Sequence, residues 1–567
     1  MNILGVGNAI DSGAVLIQDS VVVAAVSEER FTREKLTSKF PINSIKYVLK
    51  EGNITIEDID WCGCGSWRGI DTKQTLPALI DEIIYLVKKD PLSEKIIKER
   101  IQASLSGDSH FRKELLLGIK NLGIPNSKII LYDYHFSHAC LSFYPSPFKE
   151  ALVLVASGRG DFRSTTLWEA NKNEGLSLIS QTSELSSLGS MYGSITKLLG
   201  FTPNRHEGKV TGLAAKGNPS VIHERLMDSI GFNKELGRIN AKIGDFYKPF
   251  NNSTPDGLVE KIGKLNKENF AFAAQDVLER SLVDLVSHYL SDKPNSSINL
   301  CLAGGCIGNV KLNLELKKIP QIKNVYIVPS MGDGGNALAG AICATTEKSI
   351  SKAIKLNNAS LGPQYNNAQI ESTLINSKIR YSRISGNAKI MKTAQLINEG
   401  KIIGWFQGRM EYGPRALGNR SILASADNPQ INMSLNSRLE RSEFMPFAPV
   451  TTTLLAPKCF IDWKESDNCT DFMNMCYECT EFMSLKCPAT VHVDNTARPQ
   501  VIKEKNNPEY FRLIMKYYEI SSRPALINTS FNHHEEPIVM TPLDAIRSFE
   551  KRNVDVLIIG DFIAIYD

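Results

Sequence analysis

No stretch of about 18 consecutive apolar residues occurs anywhere in the 567-residue chain, which argues against a membrane-spanning helix. Charge of one sign is also scarce. The 65 Lys and Arg nearly balance the 61 Asp and Glu, and a net charge of +4 is too mild to argue for a nucleic-acid or membrane partner. The opening residues, MNILGVGNAIDSGAVLIQ, have no basic leader, and Asp11 interrupts the apolar core that a signal segment needs. They read as a first buried strand in a cytoplasmic protein. The 11 cysteines are dispersed, several in apolar surroundings such as Cys301 and Cys343, as expected of reduced thiols. Cys469, Cys476, Cys479 and Cys487 contain one C-x-x-C pair, but the flanking spacings fit no common zinc template and free thiols are expected there.

What is present is enough apolar content, 42%, to build two or more cores from a chain too long for one. Up to about residue 345, short apolar runs alternate with helical patterns, which predicts an α/β organisation. Buried strands are expected at Ile3 to Gly7, Ala151 to Ala156, Asn299 to Ala303 and Val325 to Val328. The last three lead into SGRGD (Ser157 to Asp161), GGCIGN (Gly304 to Asn309) and MGDGGN (Met331 to Asn336). A fourth glycine element, GKVTGLAAKG, runs from Gly208 to Gly217. Glycine turns leaving buried strands cradle phosphates, so Gly158, Gly160, Lys209, Gly304, Gly305 and Asn309 are candidates for a nucleotide site. Between Lys348 and Asn367 the chain turns polar and loses periodicity, which places a domain boundary there: a first domain over residues 1–350 and a second over 366–567.

The second domain carries GWFQGRMEYGPRALGNRS, from Gly404 to Ser421, in which Arg409, Arg415 and Arg420 alternate with glycines. Guanidinium forks beside open backbone suit a bound anion, so Arg409 and Arg415 join the nucleotide candidates. Further on, Arg441, Arg498, Asn528 and Ser530 supply donors suited to a small phosphorylated or carboxylated ligand.

These motifs carry a resemblance. EERFTREK, SHACLSFYPSPF, EGKVTGLAAKG, LAGGCIGNVKLN, GDGGNALAGA, GWFQGRMEYGPRALGNRSILA, PFAPV, HVDNTARPQ and NTSFN occur in order over nearly the whole chain. The chain resembles the nodulation and cephamycin-type O-carbamoyltransferase family. The resemblance implies a TsaD-like N-terminal half of the actin/sugar-kinase/Hsp70 fold and a YrdC-like C-terminal half. It implies that carbamoyl phosphate and ATP give carbamoyl-adenylate and pyrophosphate in the second half, and that the first half passes the carbamoyl group to a hydroxyl or amine of a small metabolite, in natural-product biosynthesis. Other ATP-dependent acyl or amidine-type transfer, or a silent nucleotide-binding partner, are the competing readings. By motif position, Arg441, Arg498, Asn528 and Ser530 would hold carbamoyl phosphate. Asp11, His138 and Arg441 would be catalytic groups, and Gly304, Gly305, Asn309 and Asp333 would line the nucleotide and metal region. The partners implied are carbamoyl phosphate and a small-molecule acceptor; a homodimer is left open.

The chain departs from the family pattern where metal would bind. Tyr134 stands in place of the first ligand histidine of H-H-x-x-H-A, and Ser157 in place of an aspartate after the strand. Ile10 replaces the histidine of the early turn while Asp11 is kept. Leu439 replaces a lysine, with Arg438 beside it. His138 and Asp333 alone make two ligands, and first-row metals normally take at least three protein groups. Tyr134, whose phenolate would suit ferric iron, or His135, three residues before His138, could supply the third. The cofactors expected are therefore ATP and magnesium, with iron dependent on that third ligand.

Overall fold

The computed structural model describes residues 1–262, 266–294, 296–349, 353–440 and 446–566. The chain forms two compact units. Unit 1 comprises Met1–Val22, Ser38–Pro41 and Leu49–Lys355, and unit 2 comprises Val23–Thr37, Ile42–Val48 and Leu356–Asp567. The main division at Lys355 and Leu356 lies inside the polar stretch; the two short segments that group with unit 2 have no counterpart in a single-cut reading of the sequence.

Unit 1 is built on a repeated topology. In the first sheet, strand Asn2–Gly7 pairs antiparallel with Gly13–Gln18 and parallel with Trp61–Cys64, which pairs parallel with Ile129–Leu131. In the second, Glu150–Gly160 pairs antiparallel with Arg163–Asn171 and parallel with Ile298–Ala303, which pairs parallel with Ile322–Ile327. Each sheet has five strands whose order, by succession in the chain, is third, second, first, fourth, fifth. That duplicated arrangement, with a hairpin at the start of each half, is the actin/sugar-kinase/Hsp70 organisation. The four strands expected from apolar runs all lie within these sheets.

Two helices tie the halves together. Helix Tyr134–Phe143 follows the last strand of the first sheet and packs on the second; helix Asn336–Lys348 follows the last strand of the second and packs on the first. The second helix reads NALAGAICATTEK, and its small residues let strand backbones come very close. A Cβ on Gly5 would land on the carbonyl of Ala337, and one on Gly63 on that of Gly340. Close backbone approach of this kind is a use to which only glycine is suited.

Unit 2 is a second α/β body with an eight-stranded mixed sheet. Its centre is the set Val556–Ile559, Ile403–Phe406, Arg420–Ser425, Leu526–Ser530 and Ala448–Thr452. Helices Gly386–Asn398 and Pro508–Ser521 pack on each other. They bury Ile390, Ile397, Tyr510, Leu513, Ile514 and Tyr517 together with Trp405, Leu423 and Ile558. Pro508 sits at the helix start, where its missing N–H is no loss, and Asn507 caps the helix by accepting from Tyr510 N. Among the described residues no helix is long and apolar enough to cross a membrane.

The packing of the helix Asn336–Lys348 on bare glycine backbone gives a stability prediction. A Cβ at Gly340 would lie 2.6 Å from backbone atoms of Gly63 and Gly65. Overpacking costs about 1–3 kcal/mol, so Gly340→Ala is expected to lower the urea midpoint of unit 1. A midpoint equal to that of the wild type would mean the helix and strands stand farther apart than described.

Candidate active-site residues

In unit 1, two hairpin turns and two helix starts converge. The first turn follows strand Asn2–Gly7 and carries Asp11 in the left-handed region, φ 64°. The second turns at Asp161 and Phe162, both left-handed, and joins Glu150–Gly160 to Arg163–Asn171. SGRGD is therefore a strand-to-strand hairpin. The helix starts are those of Tyr134–Phe143, capped by Asp133 accepting from Phe136 N at 2.9 Å, and of Asn336–Lys348. Hydrogen bonds connect the pieces. Asp161 accepts from Tyr134 N at 2.8 Å and from Gly69 N at 3.0 Å. Gly334 lies so close to Asp11 that a Cβ there would meet the carboxylate.

At the centre, Tyr134 Oη donates to Asp333 Oδ1 at 2.7 Å. The Tyr134 ring stacks on His138, centroids 4.1 Å apart and planes 24° apart. His138 Nδ1 is 3.0 Å from Tyr134 O and Nε2 is 3.2 Å from Gly332 O. Both ring nitrogens thus face carbonyl oxygens, and a neutral imidazole can donate to only one of them. Burial pushes the His138 imidazole down, against the pull of Asp333 and the two carbonyls. Burial raises the Asp333 carboxyl, opposed by the Tyr134 hydrogen bond and by His138. The Tyr134 phenol rises well above its usual value through burial first and the Asp333 charge next, with Ser157 opposing. The Ser157 hydroxyl has no hydrogen bond of ordinary geometry among the described residues. Tyr134 and His138 are 4% and 0% exposed, so the half-buried Asp11 and Asp333 form the reachable side of this cluster.

His135 turns elsewhere: its Nδ1 meets Thr166 Oγ1, on strand Arg163–Asn171, at 3.2 Å. Asn336, the last residue of MGDGGN, is 1% exposed, and neither end of its amide has a hydrogen-bond partner among the described residues. Buried amides are nearly always bonded. Asn336 sits at a helix start whose dipole favours negative charge.

The glycine candidates separate. A Cβ at Gly160 would strike the Tyr134 ring and one at Gly304, φ 98°, the carbonyl of Ala156, so both positions need glycine for packing. Gly158 and Gly305 face open space. Lys209 is 4% exposed on helix Glu207–Ala214. Asn309 caps helix Val310–Lys317 through Leu312 N and bonds Gln275 Oε1 at 2.8 Å. Gln275 in turn meets Tyr192 and Glu279, whose carboxyl burial pushes up to about 7.

In unit 2, the arginine loop is filled from within. Glu411 Oε1 accepts from the amides of Leu417, Asn419 and Arg420 at 2.7, 2.8 and 3.1 Å. Arg420, 0% exposed, donates to the carbonyls of Gln407, Gly408, Asn419 and Pro363 and lies over the Phe406 ring. Arg409 donates to the carbonyls of Gly362, Leu361 and Val23 and to Tyr47. The loop is thus closed on its own Glu411, and Arg420 and the nucleotide candidate Arg409 both donate to backbone carbonyls. Arg415 is half-buried. Arg438 pairs with Asp555 at 2.6 Å.

The donor candidates lie on and just before two strands that flank Ala448–Thr452 in the sheet. Asn528 and Ser530 are two apart on Leu526–Ser530, and Arg498 and Gln500 two apart at the start of Gln500–Ile502. Asn528 Nδ2 donates to Gln500 Oε1 at 2.6 Å and to Ala416 O at 3.2 Å, while Gln500 Nε2 donates to Leu417 O. That chain of bonds fixes the amide orientations. It leaves Asn528 Oδ1, on a residue 2% exposed, with no partner among the described residues. Arg498 and Ser530 are half-buried. Arg441 lies outside the described residues. The four cysteines Cys469, Cys476, Cys479 and Cys487 are buried, form no disulfide, and belong to no cluster of three potential ligands among the described residues.

The duplicated topology of unit 1 and the mixed sheet of unit 2 define a two-part chain, a sugar-kinase-like domain followed by a second α/β domain. Residues 2–343 match the family described as carbamoyltransferase N-terminus and residues 394–565 the family described as carbamoyltransferase C-terminus, so the chain belongs to the carbamoyltransferase family and is a carbamoyltransferase. It is 31% identical over 600 residues to an uncharacterized protein of Synechocystis sp., covering 98% of this chain and 94% of that one. It is 31% identical over 573 residues to an uncharacterized protein of Methanocaldococcus jannaschii, covering 99% of each. To the nodulation protein NolNO of Sinorhizobium fredii it is 30% identical over 566 residues, covering 98% of this chain and 78% of that protein.

Sequence reasoning passed over Asp161, Asn336, Glu411 and Gln500, although each lies inside a motif it quoted. The signal was a polar residue embedded among the glycines or arginines that drew attention. Asp161 is the most consequential. Burial, with the neighbouring Asp133 charge, pushes its carboxyl up to about 8 in spite of its two amide donors. A carboxyl raised on folding contributes fully below its unfolded pKa, and that contribution is lost as pH rises toward the folded value. The melting temperature is therefore expected to fall between the ordinary carboxylate range and pH 8. Calorimetry of Asp161→Asn, which cannot ionise, should show a flatter profile; an equally steep one would assign the slope to other groups.

Proposed function

We propose that this carbamoyltransferase draws its group from carbamoyl phosphate, activates it with ATP as carbamoyl-adenylate, and passes it to a hydroxyl or amine of a small metabolite. The observation that carries the donor is Asn528 Oδ1. A carbamoyl group differs from an acetyl group in bearing an NH2, and a buried, correctly oriented amide oxygen lacking a donor is the complement of that NH2. Arg498, Ser530 and Arg441, from the same motifs, are the groups assigned to its phosphate.

The chemistry balances with one ATP. Opening carbamoyl phosphate with water yields carbamate and phosphate. A carbamate oxygen then attacks the α-phosphorus of ATP, which enters as its magnesium salt, and pyrophosphate leaves. In unit 1 the acceptor oxygen attacks the carbamoyl carbon, the bond to AMP breaks, and AMP departs with the electron pair. The half-buried Asp11 carboxylate, at the turn facing Gly334, takes the acceptor proton. The helix start at Asn336 faces the phosphate of the adenylate, and the Asn309, Gln275, Tyr192 and Glu279 network lies on the nucleoside side. No step is assigned to a transition metal. A natural-product acceptor remains the reading that the family resemblance supports.

Purified protein with magnesium-ATP and carbamoyl phosphate is expected to release phosphate and pyrophosphate in equal amounts, and neither pyrophosphate nor AMP when carbamoyl phosphate is omitted. Pyrophosphate release without carbamoyl phosphate would sink the donor assignment. Arg498→Ala should abolish donor turnover with the fold intact. Asn528→Leu should lower kcat/KM for carbamoyl phosphate by about 10- to 100-fold, the worth of a buried hydrogen bond, while leaving weak inhibition by acetyl phosphate unchanged. Equal loss toward both ligands would deny Asn528 its part in reading the NH2.

A further inference from the structure

The family resemblance implies a metal at the centre of unit 1, and three features of that centre oppose it. The first is direction. The lone pair of an imidazole nitrogen lies in the ring plane, and a metal sits about 2.0–2.1 Å from it along that line. Tyr134 and His138 are stacked with centroids 4.1 Å apart and nearly parallel planes, so their donor atoms point side by side and do not aim at one point. The second is occupation. His138 Nε2 faces Gly332 O at 3.2 Å, and the Tyr134 oxygen is bonded to Asp333 Oδ1 at 2.7 Å, so each donor direction already meets a protein atom. The third is number. Among the described residues no set of three His, Cys, Asp or Glu ligand atoms within 4.8 Å of one another includes His138 or Asp333.

The same residues are nevertheless one substitution from a ligand set. Tyr134 and His138 are four apart on helix Tyr134–Phe143, the spacing that places two side chains on one face and that paired metal-binding histidines use. Asp333 stands across from them. Gly160, where any Cβ would strike the Tyr134 ring, gives the phenol its room, and the short Ser157 side chain lies beside it.

We infer that unit 1 of this chain works without a transition metal, and that Tyr134 is the residue that closes the site to one by bonding Asp333 and stacking on His138. The phenol is a positioning group: it holds Asp333 by hydrogen bond where a cation would hold it by charge.

The test is metal uptake by the full chain. Wild-type protein and the variants Tyr134→His, His138→Ala and Asp333→Asn are incubated with excess cobalt(II), desalted, and examined for bound metal and visible absorption, with circular dichroism and thermal melts as fold controls. Wild type is expected to hold no cobalt that depends on His138 and Asp333, so any residual content should be the same in those two variants. Tyr134→His should gain close to one cobalt per chain with a visible ligand-field band, and adding His138→Ala to it should remove that gain. Cobalt in the wild type that is lost in both His138→Ala and Asp333→Asn would overturn the inference. So would a folded Tyr134→His protein that takes up no more than wild type, because Tyr134 would then not be what excludes the metal. Neither readout depends on acceptor, donor or turnover.

Discussion

Each unit holds a buried carboxyl group that gathers several backbone amides, from segments distant in sequence in unit 1 and from its own loop in unit 2. In unit 1 it is Asp161, which gathers Gly69 and the start of helix Tyr134–Phe143 onto its own hairpin. In unit 2 it is Glu411, which closes the loop from Leu417 to Arg420 around one oxygen. Amides converging on one carboxyl group hold their segments in place by hydrogen bonds as well as by covalent geometry. The position of Tyr134, and through it of His138 and Asp333, depends on the first of these carboxylates.

Much of the fold was legible in the sequence, because the sheets of unit 1 are made of short apolar runs with glycine exits. The runs at Ile3, Ala151, Asn299 and Val325 all belong to its two sheets. The repeated order of those sheets was not legible, since strand order is set by long-range pairing and local pattern does not encode it. The roles of glycines were legible only in kind. Gly158 and Gly160 look alike in SGRGD, yet one faces open space and the other lies under an aromatic ring. The arginine loop makes a related point. A guanidinium fits a backbone carbonyl as well as a phosphate oxygen, and only the fold shows which of the two stands in front of it.

The site in unit 1 departs from its family pattern in a coordinated way. Tyr134 and Ser157 lie side by side, and the bare Gly160, which fits the pattern, leaves room for the phenol ring. Those departures change which atoms face one another more than they change the backbone. The turn at Asp11, the close approach of Gly334 and the unpaired amide of Asn336 are all kept around them.

The two short segments that group with unit 2 carry a further consequence. Glu28 accepts from Asn43 and Ser44, Arg33 donates to the carbonyls of Pro537 and Ile538, and Ala25 bonds Leu361. Residues near the amino end are thus stitched to residues near the carboxyl end. A ribosome making this protein releases Val23–Thr37 and Ile42–Val48 long before their companions exist, so those segments must wait through most of synthesis. For the same reason the two halves cannot be separated by a cut at Lys355, nor exchanged between relatives as independent cassettes, without carrying the early segments along with the later half.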